Sequence, residues 1–198
     1  MRTPARPGTD DLWLRLLVVR CQAGDEAAFR ELYGLYSGRT RRFAETLLDR
    51  DSARDVQQEV WLTVYKRIAQ LADPGALRTW LYMTTRHAAI DLLRRRKREA
   101  ELLALYAREP EAVSVQDNER SEMPDSETIR SAVTRLPAAQ REVVMLRYWE
   151  DLSYAEIAIV TGCSIGTVRS RLHYARRALE NFLNHQDSIE GDSHECHS

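Results

Sequence analysis

The sequence predicts an all-α protein made of two small helical domains joined by a flexible acidic linker. In both halves of the 198-residue chain, apolar residues recur at helical spacing, and no segment shows the strict alternation of a half-buried β-strand. Between the halves, residues 99–125 are acidic and include two prolines, and they lose this periodicity, with a helical extension to about residue 108 left open. The predicted organisation is an N-terminal extension at 1–19, a first domain at 20–98, the linker at 99–125, a second domain at 126–184 and a polar tail at 185–198.

The apolar spacing of the first domain predicts three helices. The first begins after Asp25, because an aspartate side chain accepts hydrogen bonds from the unpaired amides of a first turn. The second begins at residues 51–52, which are again residue types that cap helices. Residues 73–75, Asp-Pro-Gly, interrupt the chain, since proline lacks an amide donor and glycine accommodates tight turns. The third helix is predicted from 77 to 97.

The second domain is predicted to contain a helix-turn-helix. Helices are expected on either side of Pro137. Ser153 and Glu156 then have the spacing of a capping box, in which each side chain bonds to the backbone amide of the other. Gly162 permits a tight turn, and Ser164 begins the next helix. The short apolar helix before the turn would brace the more polar helix after it.

The second helix of this motif presents side chains suited to DNA. Its window 164–179 holds four arginines and no acid. Arginine bonds to guanine edges and to phosphates, and hydroxyl groups contact phosphate oxygens. The predicted DNA-facing residues are Ser164, Thr167, Arg169, Ser170, Arg171, Tyr174 and Arg176. Any helical hairpin with an arginine-rich surface is the competing interpretation.

Charge is distributed unevenly along the chain, although 29 basic residues nearly balance 30 acidic ones. Residues 78–98 hold seven basic residues and one acid, whereas residues 99–127 hold nine acids and two arginines. The window 164–179 is followed by five acids and no Lys or Arg in 180–198. A single basic run is commonly a solvated helix face, but two runs on separate helices favour two DNA contacts. We hypothesise that the acidic segments screen the basic helices.

The helix predicted at 77–97 combines aromatic and basic side chains. Trp80 and Tyr82, with Arg86 and His87, precede its basic end. Aromatic rings next to cations suit single-stranded or melted DNA, because unpaired bases stack on rings and the backbone needs countercharge. A core position is the competing interpretation for Trp80. His87 is predicted to be a hydrogen-bonding residue of a helix face rather than a metal ligand.

Five stretches of the chain, taken together, are more specific than any single motif. They are 24–33 (GDEAAFRELY), 53–62 (ARDVQQEVWL), 80–94 (from WL to AAIDLLR), 136–144 (LPAAQREVV) and 153–177. In this order they resemble the bacterial RNA polymerase sigma factors of the extracytoplasmic-function group, within the sigma-70 family. The resemblance implies a region 2 helical bundle at 20–98 and a region 4 helix-turn-helix at 126–184. It also implies that the protein is a promoter-specificity subunit.

The resemblance implies three sets of contact residues. The helix that docks on the clamp of the polymerase β′ subunit would use Asp55, Gln58, Glu59 and Trp61. The residues that melt and read the minus-10 element and capture a flipped base would be Asp73, Arg78, Trp80, Arg86, His87, Arg94 and Arg95. The DNA-facing residues from Ser164 to Arg176 would read the minus-35 element in the major groove. The family often has a basic residue where Tyr174 stands, which leaves a phosphate contact there open.

The implied partners are core RNA polymerase, through its β′ clamp and β flap, promoter DNA, and an anti-sigma factor. The chain is expected to be a monomer when free of partners and to need no cofactor. No apolar stretch approaches the roughly 20 residues of a membrane-spanning helix, and residues 1–11 lack the apolar segment of a secretory signal, so we expect a cytoplasmic protein without membrane insertion. Three well-separated cysteines are expected to be reduced thiols.

Two other function classes and one metal site compete with this interpretation. An ordinary helix-turn-helix regulator would use its first half for ligand sensing or dimerisation, without being a polymerase subunit. Catalysis is not expected, because the sequence has no glycine-rich phosphate loop and no His-x-x-x-His pair. No metal site is predicted, with one open alternative in the tail, where His194, Cys196 and His197, together with His185, are ligand types for zinc or copper.

Overall fold

The structure is a computed structural model that describes residues 9–106 and 131–191. It confirms the predicted all-α class, because every regular element in those two ranges is helical. The chain divides into two compact units, Met1–Ala112 and Val113–Ser198. Most of the predicted linker lies outside the described residues, as do the first residues predicted for the second domain.

Within residues 9–106, four helices and two 3-10 turns form the first unit. They are α1 (Thr9–Gln22), α2 (Glu26–Ala44), α3 (Arg50–Arg67), the turns Ile68–Gln70 and Pro74–Ala76, and α4 (Leu77–Tyr106). The core lies where the four helices meet. Val56, Val60 and Val64 form its stripe on α3, and Leu77 and Leu81 enter it from α4. Removing these apolar side chains from water is the main stabilising contribution to the unit.

Helix α1 is part of this unit and not an extension, which corrects the boundary predicted at residue 20. Leu17 and Val18 are buried in the core, and Cys21 lies with them. The helix was missed because seven of the eight residues in 12–19 are apolar, so no helical period stands out. Leu12 and Leu16 remain more than half exposed.

The starts of α2 and α3 depend on aspartate caps. Asp25 caps α2 as predicted, and its carboxylate accepts hydrogen bonds from two amides of the first turn. The predicted start of α3 at 51–52 is wrong, since Asp49 is the cap and accepts a hydrogen bond from the Ser52 amide at 2.9 Å. Both positions carry capping residue types. Arg96 of α4 adds a 3.0 Å ion pair to Asp49, which favours the earlier start.

Helix α4 is longer than the predicted third helix. It continues to Tyr106, so the helical extension that the sequence left open beyond residue 97 is present in residues 99–106. Tyr82 of α4, predicted among the aromatic residues for melted DNA, is fully buried, and its ring lies edge-on 5.4 Å from that of Phe43. That prediction is wrong, because a ring with no exposed surface cannot stack on a base.

The second unit contains the predicted helix-turn-helix. After helical residues at 131–134 come α5 (Ala138–Tyr148), α6 (Tyr154–Thr161) and α7 (Ile165–Gly191). The capping box of Ser153 and Glu156 opens α6, with both reciprocal bonds present. Gly162 ends α6 with a φ of +65°, a left-handed conformation that glycine adopts without steric cost. The turn therefore forms as the local sequence predicts.

The core of the second unit lies between α5, α6 and α7. Its fully or nearly fully buried side chains include Val143, Leu146, Ile157, Val160, Val168 and Leu172. Helix α7 continues past the domain end predicted at 184, as far as Gly191. Along this helix Phe182 packs under the Arg135 guanidinium, which lies 4.7 Å from the ring centre. The buried stripe at Val168 and Leu172 turns the opposite side of α7 toward solvent.

Candidate nucleic-acid and protein interfaces

Asp55, Gln58 and Glu59 form one exposed surface on α3. Spacings of three and four residues place their side chains on the same side of the helix. Gln58 also lines an open groove of about 470 Å³ between α2 and α3, where Arg41 and Arg54 are among the other lining side chains. This surface offers carboxylate, amide and guanidinium groups that a protein partner can reach.

Trp61 is almost wholly buried beneath this surface, and it also lines the same groove. Its side chain is only 5% exposed, and its indole Nε1 donates a hydrogen bond to the Thr40 hydroxyl at 3.3 Å. Its ring packs edge-on against Phe29 and Tyr33, with ring centres 6.0 and 4.9 Å away. Trp61 therefore supports the shape of the α2–α3 surface and presents almost no surface of its own.

The loop that connects α3 to α4 contains the predicted minus-10 residue Asp73. Its carboxylate caps the turn Pro74–Ala76 and accepts a hydrogen bond from the Gly75 amide at 2.8 Å, while the side chain is 63% exposed. In the first turn of α4, Arg78 is half-buried. Trp80 is half-buried against the core, so part of its ring packs inside and part reaches the surface.

Two side chains of α1 contact this loop. Gln22 donates hydrogen bonds from Nε2 to two loop carbonyls at 3.1 and 2.7 Å. The Arg15 guanidinium lies against Gly75 and 3.6 Å from the Asp73 carboxylate. Sequence reasoning missed both residues, because no local pattern connects positions 46 and 49 residues apart, as Gln22 and its two acceptors are.

Further along α4, the predicted basic residues lie at or near the surface. His87 is exposed, and Arg86 is half-buried and has an interaction partner. Arg94 lies 3.4 Å from a carboxylate one turn earlier, and Arg95 lies 3.8 Å from the Glu59 carboxylate of α3. Pairs between such exposed side chains are weak, so both arginines can exchange their partner for a phosphate.

Arg96, in the same basic run, is directed toward its own unit. Its guanidinium pairs with Asp49 at 3.0 Å and donates to the Ser52 hydroxyl at 2.6 Å. Hydrogen bonds from the hydroxyl and amide of Ser52, together with the Arg96 guanidinium, hold the pKa of Asp49 well below its usual range. This cluster joins the start of α3 to α4.

The N-terminus of α7 is organised by Ser164. Its hydroxyl oxygen accepts a hydrogen bond from the Thr167 amide at 3.0 Å and lies 2.9 Å from the Thr167 hydroxyl. One turn further, the Arg171 guanidinium lies 3.8 Å from the sulfur of Cys163 in the turn. Because a helix N-terminus favours anions, this end of α7 suits a phosphate.

The remaining predicted residues of α7 are exposed. They are Arg169, Ser170, Tyr174 and Arg176. The Ser170 hydroxyl donates to a carbonyl of its own helix, and Arg176 pairs with Glu180 at 2.9 Å. His173, which the prediction left out, is exposed with its ring 5.6 Å from that of Tyr174. Five of the seven predicted residues are therefore exposed, and the other two, Thr167 and Arg171, are half-buried.

The described part of the chain has neither a metal-binding cluster nor a membrane-spanning helix. No group of three His, Cys, Asp or Glu side chains there could hold a metal ion. His194, Cys196 and His197 lie outside the described residues. Among the described cysteines, Cys21 and Cys163 are free thiols, and burial raises the pKa of Cys21. None of the helices in the described ranges is long and apolar enough to span a membrane.

Two family profiles match the chain, one in each unit. The profile described as Sigma-70 region 2 matches residues 32–99, and the one described as Sigma-70, region 4 matches residues 126–179. An ECF RNA polymerase sigma-E factor of Haemophilus influenzae is 31% identical over 174 residues, covering 83% of this chain and 92% of the relative. The RNA polymerase sigma-H factor of Pseudomonas aeruginosa is 32% identical, covering 84% and 92%.

Solved structures are similar as well. The sigma factor RpoE from Bartonella quintana, in complex with the anti-sigma factor NepR, matches with a TM-score of 0.62 and 27% identity, covering 79% of this chain and 96% of that one. CnrH, in complex with the cytosolic domain of CnrY, matches with a TM-score of 0.59 and 22% identity, covering 86% and 97%. At that identity the second match supports the fold alone.

Proposed function

This chain belongs to the extracytoplasmic-function sigma factors of the sigma-70 family, and we propose that it binds core RNA polymerase and directs it to promoters by reading a minus-10 and a minus-35 element. The observation that carries the proposal is the order of the two matched regions, each of which falls within one compact unit. A regulator that acts alone needs a helix-turn-helix but has no use for region 2. The protein would act by binding, without catalysis of its own.

Core polymerase would bind the exposed surface of α3. Asp55, Gln58 and Glu59 present charged and hydrogen-bonding groups on one side of that helix. A protein interface gains specificity when its charges meet opposite charges on the partner, so basic groups on the β′ clamp would suit these carboxylates. Trp61 would contribute from beneath, by keeping α2 and α3 at the spacing the surface requires. The β flap would bind region 4.

The minus-10 element would be taken up by the loop before α4 and by the first turns of α4. Extracting a base from its stack costs a few kcal/mol, which stacking and backbone contacts must offset. The exposed part of Trp80 offers a ring, and Arg78, Arg86 and His87 lie nearby on the same helix. The exposed Asp73 carboxylate would accept a hydrogen bond from a base edge. Arg94 and Arg95 would contact phosphates further along the strand.

The minus-35 element would be read by α7 in the major groove. Arg169 and Arg171 have the donor geometry for guanine edges, and Ser164 and Thr167 lie where the helix N-terminus would meet the DNA backbone. Tyr174 is 59% exposed, so it can pack against sugar or a thymine methyl in place of a cationic phosphate contact.

An anti-sigma factor would control this activity. The similar structure from Bartonella quintana is a sigma factor held by an anti-sigma factor. A protein of that kind would have to cover surfaces needed for polymerase or DNA. The sigma factor itself would act in the cytoplasm, where transcription takes place.

The test is transcription with purified components. Core polymerase reconstituted with this chain should select and transcribe specific sequences from a pool of random duplex fragments, whereas core polymerase alone should not. A variant that replaces Asp55, Gln58 and Glu59 by alanine should lose selection while its helices remain folded. If the chain alone binds duplex DNA tightly and specifically, and polymerase with it selects nothing, the protein is a helix-turn-helix regulator and the proposal fails.

A further inference from the structure

The loop between α3 and α4 is held by α1, a helix that lies outside the matched region 2 profile. We propose that Arg15 and Gln22 of α1 are positioning residues for minus-10 recognition, which fix the conformation of residues 68–76. The inference rests on the proposed function, since it concerns how this loop meets DNA. It assigns a role in promoter reading to a segment that carries none of the DNA-facing residues described above.

Gln22 fixes the first half of the loop. Its single amide nitrogen donates to the carbonyl of Ile68 at 3.1 Å and to that of Leu71 at 2.7 Å. These carbonyls stand at either end of the turn Ile68–Gln70, where α3 ends, and the Ile68 carbonyl also accepts a hydrogen bond from the Leu71 amide at 3.1 Å. Because an amide group has two hydrogens, one side chain can satisfy both acceptors. The distance between the two carbonyls is thereby set by α1.

Arg15 contacts the second half of the loop, while its Nε also donates to Asp11 of α1 at 3.2 Å. Its guanidinium lies so close to Gly75 that a Cβ added there would stand 2.4 Å from Nη2 and 2.6 Å from Cζ. The same guanidinium lies 3.6 Å from Asp73 Oδ1, the oxygen that also accepts the Gly75 amide hydrogen at 2.8 Å. Glycine at this position therefore permits the arginine to approach. The arginine thus places a cation beside the carboxylate that is proposed to meet a base.

The middle of the loop has one apolar contact with the core, made by the half-buried Leu71. Ile68 and Leu77 are buried at the two ends, 3% and 0% exposed, but no residue from 69 to 76 is buried. Between Ile68 and Leu77, Gln22 and Arg15 provide polar contacts from α1 to the loop. Their loss should leave the core intact and change only the precision with which the loop is placed.

The test measures base preference with the reconstituted polymerase. The DNA is built on a sequence that the wild-type holoenzyme selects, and its minus-10 element is single-stranded and randomised on the non-template strand. Each holoenzyme captures DNA from this pool, and the captured molecules are sequenced. Arg15→Ala and Gln22→Ala should each reduce the preference at a minus-10 base about fivefold or more, the loss of one base contact. Preference at the minus-35 element, affinity for core polymerase and melting temperature should stay as in the wild type. Arg15→Lys should give an intermediate loss, because lysine keeps the charge without the planar group.

Gly75→Ala provides an independent variant. Its methyl group should displace the Arg15 guanidinium and so reproduce the loss of minus-10 preference seen with Arg15→Ala. The double variant Arg15→Ala/Gly75→Ala should lose no more preference than either single variant. Arg20→Ala is the matched control, since Arg20 is an α1 arginine that pairs with Asp25 at 2.6 Å instead of contacting the loop. Unchanged minus-10 preference in Arg15→Ala, Gln22→Ala and Gly75→Ala would overturn the inference while leaving the proposed function standing. A wild-type holoenzyme that selects no sequence would remove the proposed function itself and this inference with it.

Discussion

At the scale of single residues, Trp61 connects the core of the first unit with the surface proposed to bind polymerase. It is nearly fully buried and packs against two aromatic rings. We expect Trp61→Ala to lower the free energy of unfolding by about 3–5 kcal/mol, the usual cost of emptying such a site. Trp61→Phe should cost less, because a ring remains and the Thr40 hydroxyl still donates to carbonyls of its own helix. Urea unfolding followed by circular dichroism measures both.

Gln58→Ala is the matched surface variant for Trp61. Gln58 is exposed, so its replacement should change the free energy of unfolding by no more than about 0.5 kcal/mol. Its affinity for core polymerase should nevertheless fall. If Trp61→Phe unfolds as the wild type does and loses polymerase affinity as Gln58→Ala does, then the indole itself contacts the partner and its assignment to the core is incomplete.

Asp49 makes the stability of the first unit depend on pH. Its pKa is lowered by hydrogen bonds from Ser52 and by Arg96, so the folded protein holds the carboxylate ionised where the unfolded chain would protonate it. A lowered pKa contributes stability that is present at neutral pH and is lost as the pH falls below about 4. The wild type should therefore be more stable than Asp49→Asn at neutral pH, and thermal unfolding should show this advantage shrinking as the solution is acidified.

Asp51→Asn is the control for Asp49. It removes the same charge two residues away, where the side chain is 89% exposed and faces Arg54 at 3.7 Å. Its stability difference from the wild type should be the smaller of the two at neutral pH, since exposed ion pairs contribute little. A difference between wild type and Asp49→Asn that does not vary with pH would contradict the assignment.

At the scale of helices, the elements that the sequence predicts well are those fixed by neighbouring residues. The capping box at Ser153 and the glycine turn at Gly162 involve partners within four residues, and both form as predicted. The start of α3 was placed one to two residues late, because either of two aspartates could cap it, and the contacts of Asp49 include one with Arg96, 47 residues away, that no local pattern reveals. Motifs whose partners lie close in the sequence are therefore predictable, whereas contacts between residues far apart in the sequence are not.

The candidate sites follow the same division. Residues on α7 were predictable because a buried stripe at Val168 and Leu172 defines the opposite, exposed side. Tyr82 was misassigned because an aromatic residue on a helix has the same sequence pattern whether it packs in a core or faces solvent. Its packing against Phe43, which is distant in the sequence, shows that it belongs to the core. The contacts of Arg15 and Gln22 were not predicted, because the apolar residues of α1 show no helical periodicity.

Helix α7 carries a prediction about DNA specificity. Arg171→Ala should weaken binding of the reconstituted polymerase to its minus-35 sequence by about 1–3 kcal/mol if the guanidinium contacts a guanine with two hydrogen bonds, and should relax preference at that base pair. Arg177→Ala, another arginine of α7 that is exposed, is the matched control. It should reduce the salt dependence of binding by at most about one charge without altering preference. Equal loss of sequence preference in both variants would mean that Arg171 acts only through its charge.

At the scale of the whole molecule, near-neutral net charge conceals an alternation of basic and acidic segments. Two basic helices carry the proposed DNA contacts, and acidic segments follow each of them in the chain. Some of these charges are already neutralised within a unit, as with Arg95 and Glu59 on the first and Arg176 and Glu180 on the second. We expect the acidic segments to lower the affinity of the protein for polyanions, and we expect this effect to weaken as salt screens the charges.

This screening can be tested by removing acids without disturbing helices. Replacing the seven acids of 107–127 by their amides spares α4, which ends at Tyr106, and truncation after Gly191 spares α7, whose Phe182 packs on Arg135. We expect the free chain, without polymerase, to bind DNA more tightly at low salt, with the gain vanishing near about 1 M salt, where the screening length is about 3 Å. A variant with the same 107–127 residues in scrambled order should bind as the wild type does, because its charge is unchanged. Fluorescence anisotropy with a labelled duplex measures the affinities, and equal low-salt affinity for the neutralised and native chains would show that the acidic segments do not screen the basic helices.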